Sequence, residues 1–146
     1  MKRLMPFALI LCSFFCIVSC TKSTTPPVAP VNHNPIVGLW IGTYLVQNEL
    51  LTDSFYYSFD IRPDSSIITE GSGQNGATSF AIGPWKLSGV NFSATVTAID
   101  AVPSEDVQNL TATYDSVGGV LKAGVFLNVG GPRIGTTGTF VLRRVQ

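Results

Sequence analysis

Cysteine is missing from all but the first twenty residues of this 146-residue chain. Cys12, Cys16 and Cys20 are its three cysteines, so the region beyond them has neither disulfide staples nor thiolate metal ligands. Histidine is almost absent, with His33 the single one. Nucleophilic catalysis of the Ser–His kind needs an imidazole beside the nucleophile, and none lies beyond residue 33. Charge is sparse, at 12% Asp, Glu, Lys and Arg. From Cys20 onward seven cations stand against nine acids, a net of −2, which is not the basic footprint of a nucleic-acid binder. Helical periodicity is lacking too: beyond Pro35 the apolar residues recur every second position.

What is present begins with an address. Met1-Lys2-Arg3 is cationic and Leu4 to Val18 is an almost unbroken apolar run, too short to span a bilayer but suited to the core of a signal peptide. The run ends in Ile17-Val18-Ser19-Cys20. An aliphatic residue and then a small one before a cysteine resembles the lipobox of bacterial lipoproteins. That resemblance implies cleavage before Cys20, diacylglycerol on its thiol, and acylation of its new amino group by a chain such as palmitate. Two or three acyl chains make a stable anchor, at about 0.8 kcal/mol per buried methylene. Thr21 follows the cysteine where an aspartate would resemble an inner-membrane retention signal, so the expected location is the cell envelope, at the outer membrane. Residues 20–35 carry Ser, Thr and spaced prolines, the composition of an extended tether. The expected domains are a signal peptide at 1–19, a lipidated tether at 20–35 and a folded domain at 36–146.

That domain reads as hairpins. Phe55, Tyr57, Phe59 and Ile61 alternate with Ser54, Tyr56, Ser58 and Asp60. Phe92, Ala94, Val96 and Ala98 form a second such face, and Leu110, Ala112 and Tyr114 a third. Further strands are expected at Val37–Val46, Ser66–Glu70, Ala77–Leu87, Val120–Val129 and Thr137–Val145. Within Ala77–Leu87 the apolar parity changes between Phe80/Ile82 and Trp85/Leu87, which predicts a bulge or bend at Gly83-Pro84. The connections Arg62–Ser65, Ser88-Gly89 and Ser116–Gly119 are short, and those between them in order are longer. In an up-and-down meander the tight turns then gather at one end and the long loops at the other. The fold expected is all-β: an eight-stranded antiparallel up-and-down barrel, closed at one end and open at a rim.

Gly38-Leu39-Trp40 at the start of the first strand resembles the Gly-x-Trp signature of lipocalin-like, calycin-type barrels. The last segment, Gly138 to Val145, looks like their closing strand. Phe59–Ile68 and Gly83–Leu87 resemble segments of short bacterial lipocalin-like lipoproteins. The resemblance implies that Trp40 packs at the closed end beneath a basic residue, Arg143 or Arg144. The chain is shorter than a full lipocalin and shows no helix after the closing strand.

Candidate chemistry is thin. Asp60 with Asp64, and Glu105 with Asp106, are carboxylate pairs, but each sits in a turn or loop where solvated acids are ordinary, and no enzyme activity is expected. No cofactor and no metal site is expected either. The rim margins hold Glu49, Asp53, Glu70, Asp100, Glu105 and Asp106 against Arg133, an acidic mouth suited to a cation or a basic partner. Leu50 and Leu51 are apolar on the first rim loop and serve either as a partner contact or as a plug in the mouth. The leading expectation is binding of a small apolar or amphipathic ligand, lined by Tyr57, Phe59, Phe92, Val96, Leu110 and Tyr114. The rival is a protein-interaction module of the envelope, a protease inhibitor or an accessory subunit, acting through rim loops that include Leu50, Leu51 and Arg133.

Overall fold

The computed structural model describes residues 34–47, 54–73, 76–99 and 106–146, all within the compact unit Asn32–Gln146. The expected signal peptide, Cys20 and most of the expected tether lie outside the described residues, as do Glu49, Leu50, Leu51, Asp53, Asp100 and Glu105. Eight strands are present: β1 (Gly38–Val46), β2 (Phe55–Ile61), β3 (Ser66–Ser72), β4 (Thr78–Ser88), β5 (Asn91–Ala98), β6 (Val107–Asp115), β7 (Val120–Gly130) and β8 (Thr137–Arg144). Each pairs antiparallel with its neighbour in sequence, and β8 returns to β1 with Trp40 opposite Arg144 and Val46 opposite Gly138. The result is an all-β, closed, up-and-down barrel, with no helix among the described residues. Closure leaves no strand edge exposed for pairing with another chain.

The period-two pattern fills the interior. Trp40, Phe59, Phe92, Phe140, Leu110, Leu121 and Leu142 are fully or almost fully buried, each worth roughly 1.5–3 kcal/mol of removed apolar surface. The aromatic rings touch in sequence: Tyr57 to Phe59 at 4.9 Å, Phe59 to Phe140 at 5.3 Å and Phe59 to Phe92 at 6.1 Å between centroids. Trp40 meets Tyr114 edge to face at 5.9 Å. Toward its closed end the barrel is therefore solid.

That end is also tied down by hydrogen bonds. The Trp40 indole N–H donates to the Ile36 carbonyl at 2.8 Å, holding the fully buried Ile36 as a stopper. Asn34 accepts from Val37 N–H at 3.0 Å, so the last residues of the expected tether belong to the fold. Asp64 clips the β2–β3 turn by accepting from Ser66 N–H, and Asp115 clips the β6–β7 turn by accepting from Val117 and Gly118 N–H. Such Asx geometry stabilises a tight turn without a covalent link.

Two strands depart from simple alternation. In β4 the expected parity change does not occur: Ala81, Gly83, Trp85 and Leu87 share one face throughout, and pairing with β5 stays in one register from Ala81↔Ala98 to Ser88↔Asn91. Phe80 and Ile82 lie on the outer face, 39% and 40% exposed. Gly83 is nonetheless a point of close approach, since a Cβ there would run into the Thr95 carbonyl. In β7 the register does shift, between Leu121 and Gly124. Ala123, which alternation assigns to the inside, is instead an exposed bulge residue with φ of 51°. Because of that extra residue the buried positions move from odd to even, from Leu121 to Gly124, Phe126 and Asn128.

Candidate functional site

The cavity lies at the rim. It has a volume of about 260 Å³ and is walled by inward residues near the open ends of the strands, among them Tyr44, Tyr57, Thr69, Gly71, Ala98, Asp106, Gln108, Phe126, Asn128 and Arg133. Tyr57 is its floor, and beneath it the aromatic core begins. Two other depressions, one beside Gly118 and Arg144 and one over Trp85 and Leu110, lie at the closed end and on the outer wall; neither opens into the barrel mouth.

One wall of the cavity is aromatic. The Tyr44 ring stands 5.2 Å from Tyr57 and 5.8 Å from Phe126. Gly71 lies beneath both tyrosine rings, at a position where a Cβ would be in ordinary contact with each. The Tyr44 hydroxyl donates to the Ser72 carbonyl at 2.9 Å, which fixes the ring at the strand end.

The opposite wall is polar and ordered. Tyr57 O–H donates to Gln108 Oε1 at 2.8 Å, and Gln108 Nε2 donates to Asn128 Oδ1 at 3.0 Å. Burial pushes the Tyr57 phenol well above its ordinary range, while a hydrogen bond with the Thr69 side chain works the other way. The phenol is thus kept protonated, as its role of donor to Gln108 requires. The bulge in β7 brings Asn128 into this line; without the added residue its side chain would face outward.

At the lip, Arg133 Nε donates to Asp106 Oδ2 at 2.6 Å and Arg133 N–H to Asp106 Oδ1 at 3.3 Å. The two partners differ sharply in exposure: the Asp106 side chain is 10% exposed and that of Arg133 63%. Arg133 therefore covers a buried carboxylate and keeps a face toward the opening. Of the acids expected around the mouth, Asp106 is on the cavity wall and paired with Arg133, and Glu70 is out of phase with the buried positions of β3; Glu49, Asp53, Asp100 and Glu105 lie outside the described residues. Among the described residues no three His, Cys, Asp or Glu side chains gather as a metal site.

Of the six ligand-lining residues expected from the sequence, Tyr57 borders the cavity. Phe59, Phe92, Val96, Leu110 and Tyr114 instead belong to the packed core, where neighbouring side chains occupy the space a ligand would need. Arg133 lines the same cavity. At the closed end Arg144 Nη2 donates to the Val37 carbonyl at 2.9 Å and its side chain runs beside Gly38, whereas Arg143 faces outward between Ile41 and Val120. Edge contact with Tyr114 covers Trp40. Alternation alone did not mark Gln108, Asn128 and Tyr44 as site residues. The available signal was polar or mixed chemistry at positions in phase with a buried face, as Gln108 is with Leu110 and Ala112.

No protein-family model matches the chain, and no curated protein matches it. The barrel itself is compatible with a lipocalin-like fold, having eight antiparallel strands in up-and-down order.

Proposed function

We propose that this domain is a lipocalin-like binding protein whose rim cavity takes a small amphipathic ligand, carried at the cell envelope on a lipid at Cys20. The observation behind the reading is the open-mouthed cavity of about 260 Å³ at one end of an otherwise solid barrel. Small-ligand sites favour such barrel mouths, with apolar walls and a few placed polar groups. The filled interior limits the ligand to a compact molecule, since a long acyl chain would have to displace Phe59 and Phe140. The anchor rests on the sequence run ending in Ser19-Cys20.

The reading is of a binder rather than an enzyme. Among the described residues the cavity's hydroxyls have no histidine beside them, and the carboxylate on its wall is held by Arg133. No cofactor is part of the proposal. An envelope protein as partner is the second reading, favoured by Ile134, 67% exposed in the rim loop beyond Arg133.

Native mass spectrometry of protein purified from its host, followed by solvent extraction, tests the first reading. A small adduct is expected, released on denaturation and lost from Ala98→Phe, which fills the cavity from β5. A bare mass for both proteins, with no thermal stabilisation by any small molecule screened, would sink it. Loss of a co-purifying protein from Ile134→Ser alone would favour the second reading.

A further inference from the structure

The side-chain hydrogen bonds that link Tyr57, Gln108 and Asn128 run in one direction. Tyr57 donates to Gln108 and Gln108 donates to Asn128, so the Asn128 carboxamide oxygen is occupied and its Nδ2 is left as the end of the line. Among the described residues nothing accepts from that Nδ2, and it is not a sealed-off atom, since no buried side-chain nitrogen or oxygen lacks a partner. Arg133 uses Nε on Asp106 and has no acceptor among the described residues for its two terminal nitrogens. Both residues line the cavity.

The amide and carboxylate oxygens of this wall, by contrast, already hold a donor each. Gln108 Oε1, Asn128 Oδ1 and both oxygens of Asp106 each receive a hydrogen bond, and the Asp106 side chain is 10% exposed. Among the described residues of the wall a ligand ammonium therefore finds no carboxylate that is not already paired with a cation. A ligand carboxylate finds donors, but beside them it meets Asp106, whose charge already balances that of Arg133. A polarised neutral oxygen, such as a carbonyl, accepts from the same donors with neither penalty. The size of the space and its aromatic wall set the rest. A void of about 150 Å³ holds benzene, so about 260 Å³ holds one or two fused rings with a small substituent, laid against Tyr44, Tyr57 and Phe126.

We propose that the cavity selects a compact, uncharged ring compound that presents a carbonyl-type acceptor to Asn128 Nδ2 and the Arg133 guanidinium. This rests on the reading of the cavity as a binding site and adds the chemical class of the ligand.

Four probes of similar shape test it by calorimetric titration into the full chain in lipid nanodiscs: naphthalene, 2-naphthamide, 2-naphthoate and (2-naphthyl)methylammonium, with empty nanodiscs as the blank. The amide is expected to bind at least about 10-fold tighter than either charged probe and more tightly than naphthalene, a step equal to one good hydrogen bond. Asn128→Asp, which replaces the donor by an acceptor of the same shape, is expected to remove the preference of the amide over naphthalene. Should that variant fail to fold, Arg133→Lys keeps the pairing with Asp106 while deleting the planar donors, and is expected to weaken the amide several-fold more than it weakens naphthalene. Equal or tighter binding of a charged probe, or an amide preference untouched by the variants, overturns the class while leaving the cavity as a site. Absence of binding by all four probes overturns both the class and the cavity reading beneath it.

Discussion

The Tyr57 hydroxyl donates to Gln108 Oε1 across 2.8 Å, joining β2 to β6 through the barrel interior. The same side chain packs its ring 4.9 Å from Phe59, so one residue closes the apolar core and starts the polar wall above it. Tyr57→Phe keeps the ring and deletes the donor, leaving Gln108 Oε1 without a partner. A loss of about 1–2 kcal/mol is expected from urea unfolding, together with weaker ligand binding as Gln108 and Asn128 lose their fixed orientation. Unchanged stability would show that water replaces the hydroxyl at no cost.

Alkaline pH should act on the same residue. Burial raises the Tyr57 phenol above the ordinary value near 10. The folded state therefore keeps the proton that the unfolded chain gives up. The stability this contributes is complete below about pH 10 and is lost as pH rises above it. Thermal melts between about pH 9 and 11 should fall more steeply for the native protein than for Tyr57→Phe. Parallel slopes would sink the assignment.

Arg133 and Asp106 form an asymmetric pair, with the carboxylate buried and the guanidinium largely in solvent. Removing the exposed partner is then the more harmful change, because it strands a charge. Arg133→Met is expected to cost about 1–3 kcal/mol. The double variant with Asp106→Asn should recover part of that loss, since an amide tolerates the site better than a lone carboxylate. A single exposed ion pair would contribute about 0–1 kcal/mol, so a cost within that range for Arg133→Met would mean that Asp106 reaches water.

The bulge at Ala123 offers a direct test of what aims Asn128. At φ of 51° an alanine is strained by roughly 1–2 kcal/mol, which a glycine avoids. Ala123→Gly should therefore leave stability unchanged or raise it, against the loss of about 0.5–1 kcal/mol that glycine causes in an ordinary strand. Ala123→Val, branched at the position least able to accept it, should destabilise and weaken probe binding by disturbing Asn128. A glycine variant less stable than the parent would mean that the bulge is not where the strain lies.

The same bulge marks the boundary of what the sequence discloses. Period-two runs such as Phe55–Ile61 and Asn91–Ala98 carry the strands and their faces openly, and the alternation of short and long connections gives the closed end and the rim. Those signals are local. A one-residue insertion in β7 is not, because it reverses the facing of everything after it while leaving each short run looking regular. Val125, Leu127 and Val129 read as well for the inside as Phe126 and Asn128 do. The polar wall was hidden for a related reason: Gln108 and Asn128 are distant in sequence, and only the β6–β7 pairing makes them neighbours. Ring size likewise decided that Phe59 and Phe92 fill the barrel instead of lining it, a result of three-dimensional packing that alternation does not encode.

Acid should loosen the end of the barrel opposite the cavity. The Asp64 carboxyl is held below its ordinary range by hydrogen bonds from the Ser66 hydroxyl and backbone N–H. Asp115 is lowered likewise, first by Gly118 N–H and then by Lys122. Both acids are on the surface, so the effect concerns the turns rather than global stability. A lowered folded value means that each clip contributes above the unfolded carboxyl value near 3.9 and is lost as pH falls through the folded one. In an NMR titration the Ser66 and Gly118 amide signals should move together with these carboxyls, at midpoints below about 3.9. Midpoints at or above that value would show that the two aspartates do not hold the turns.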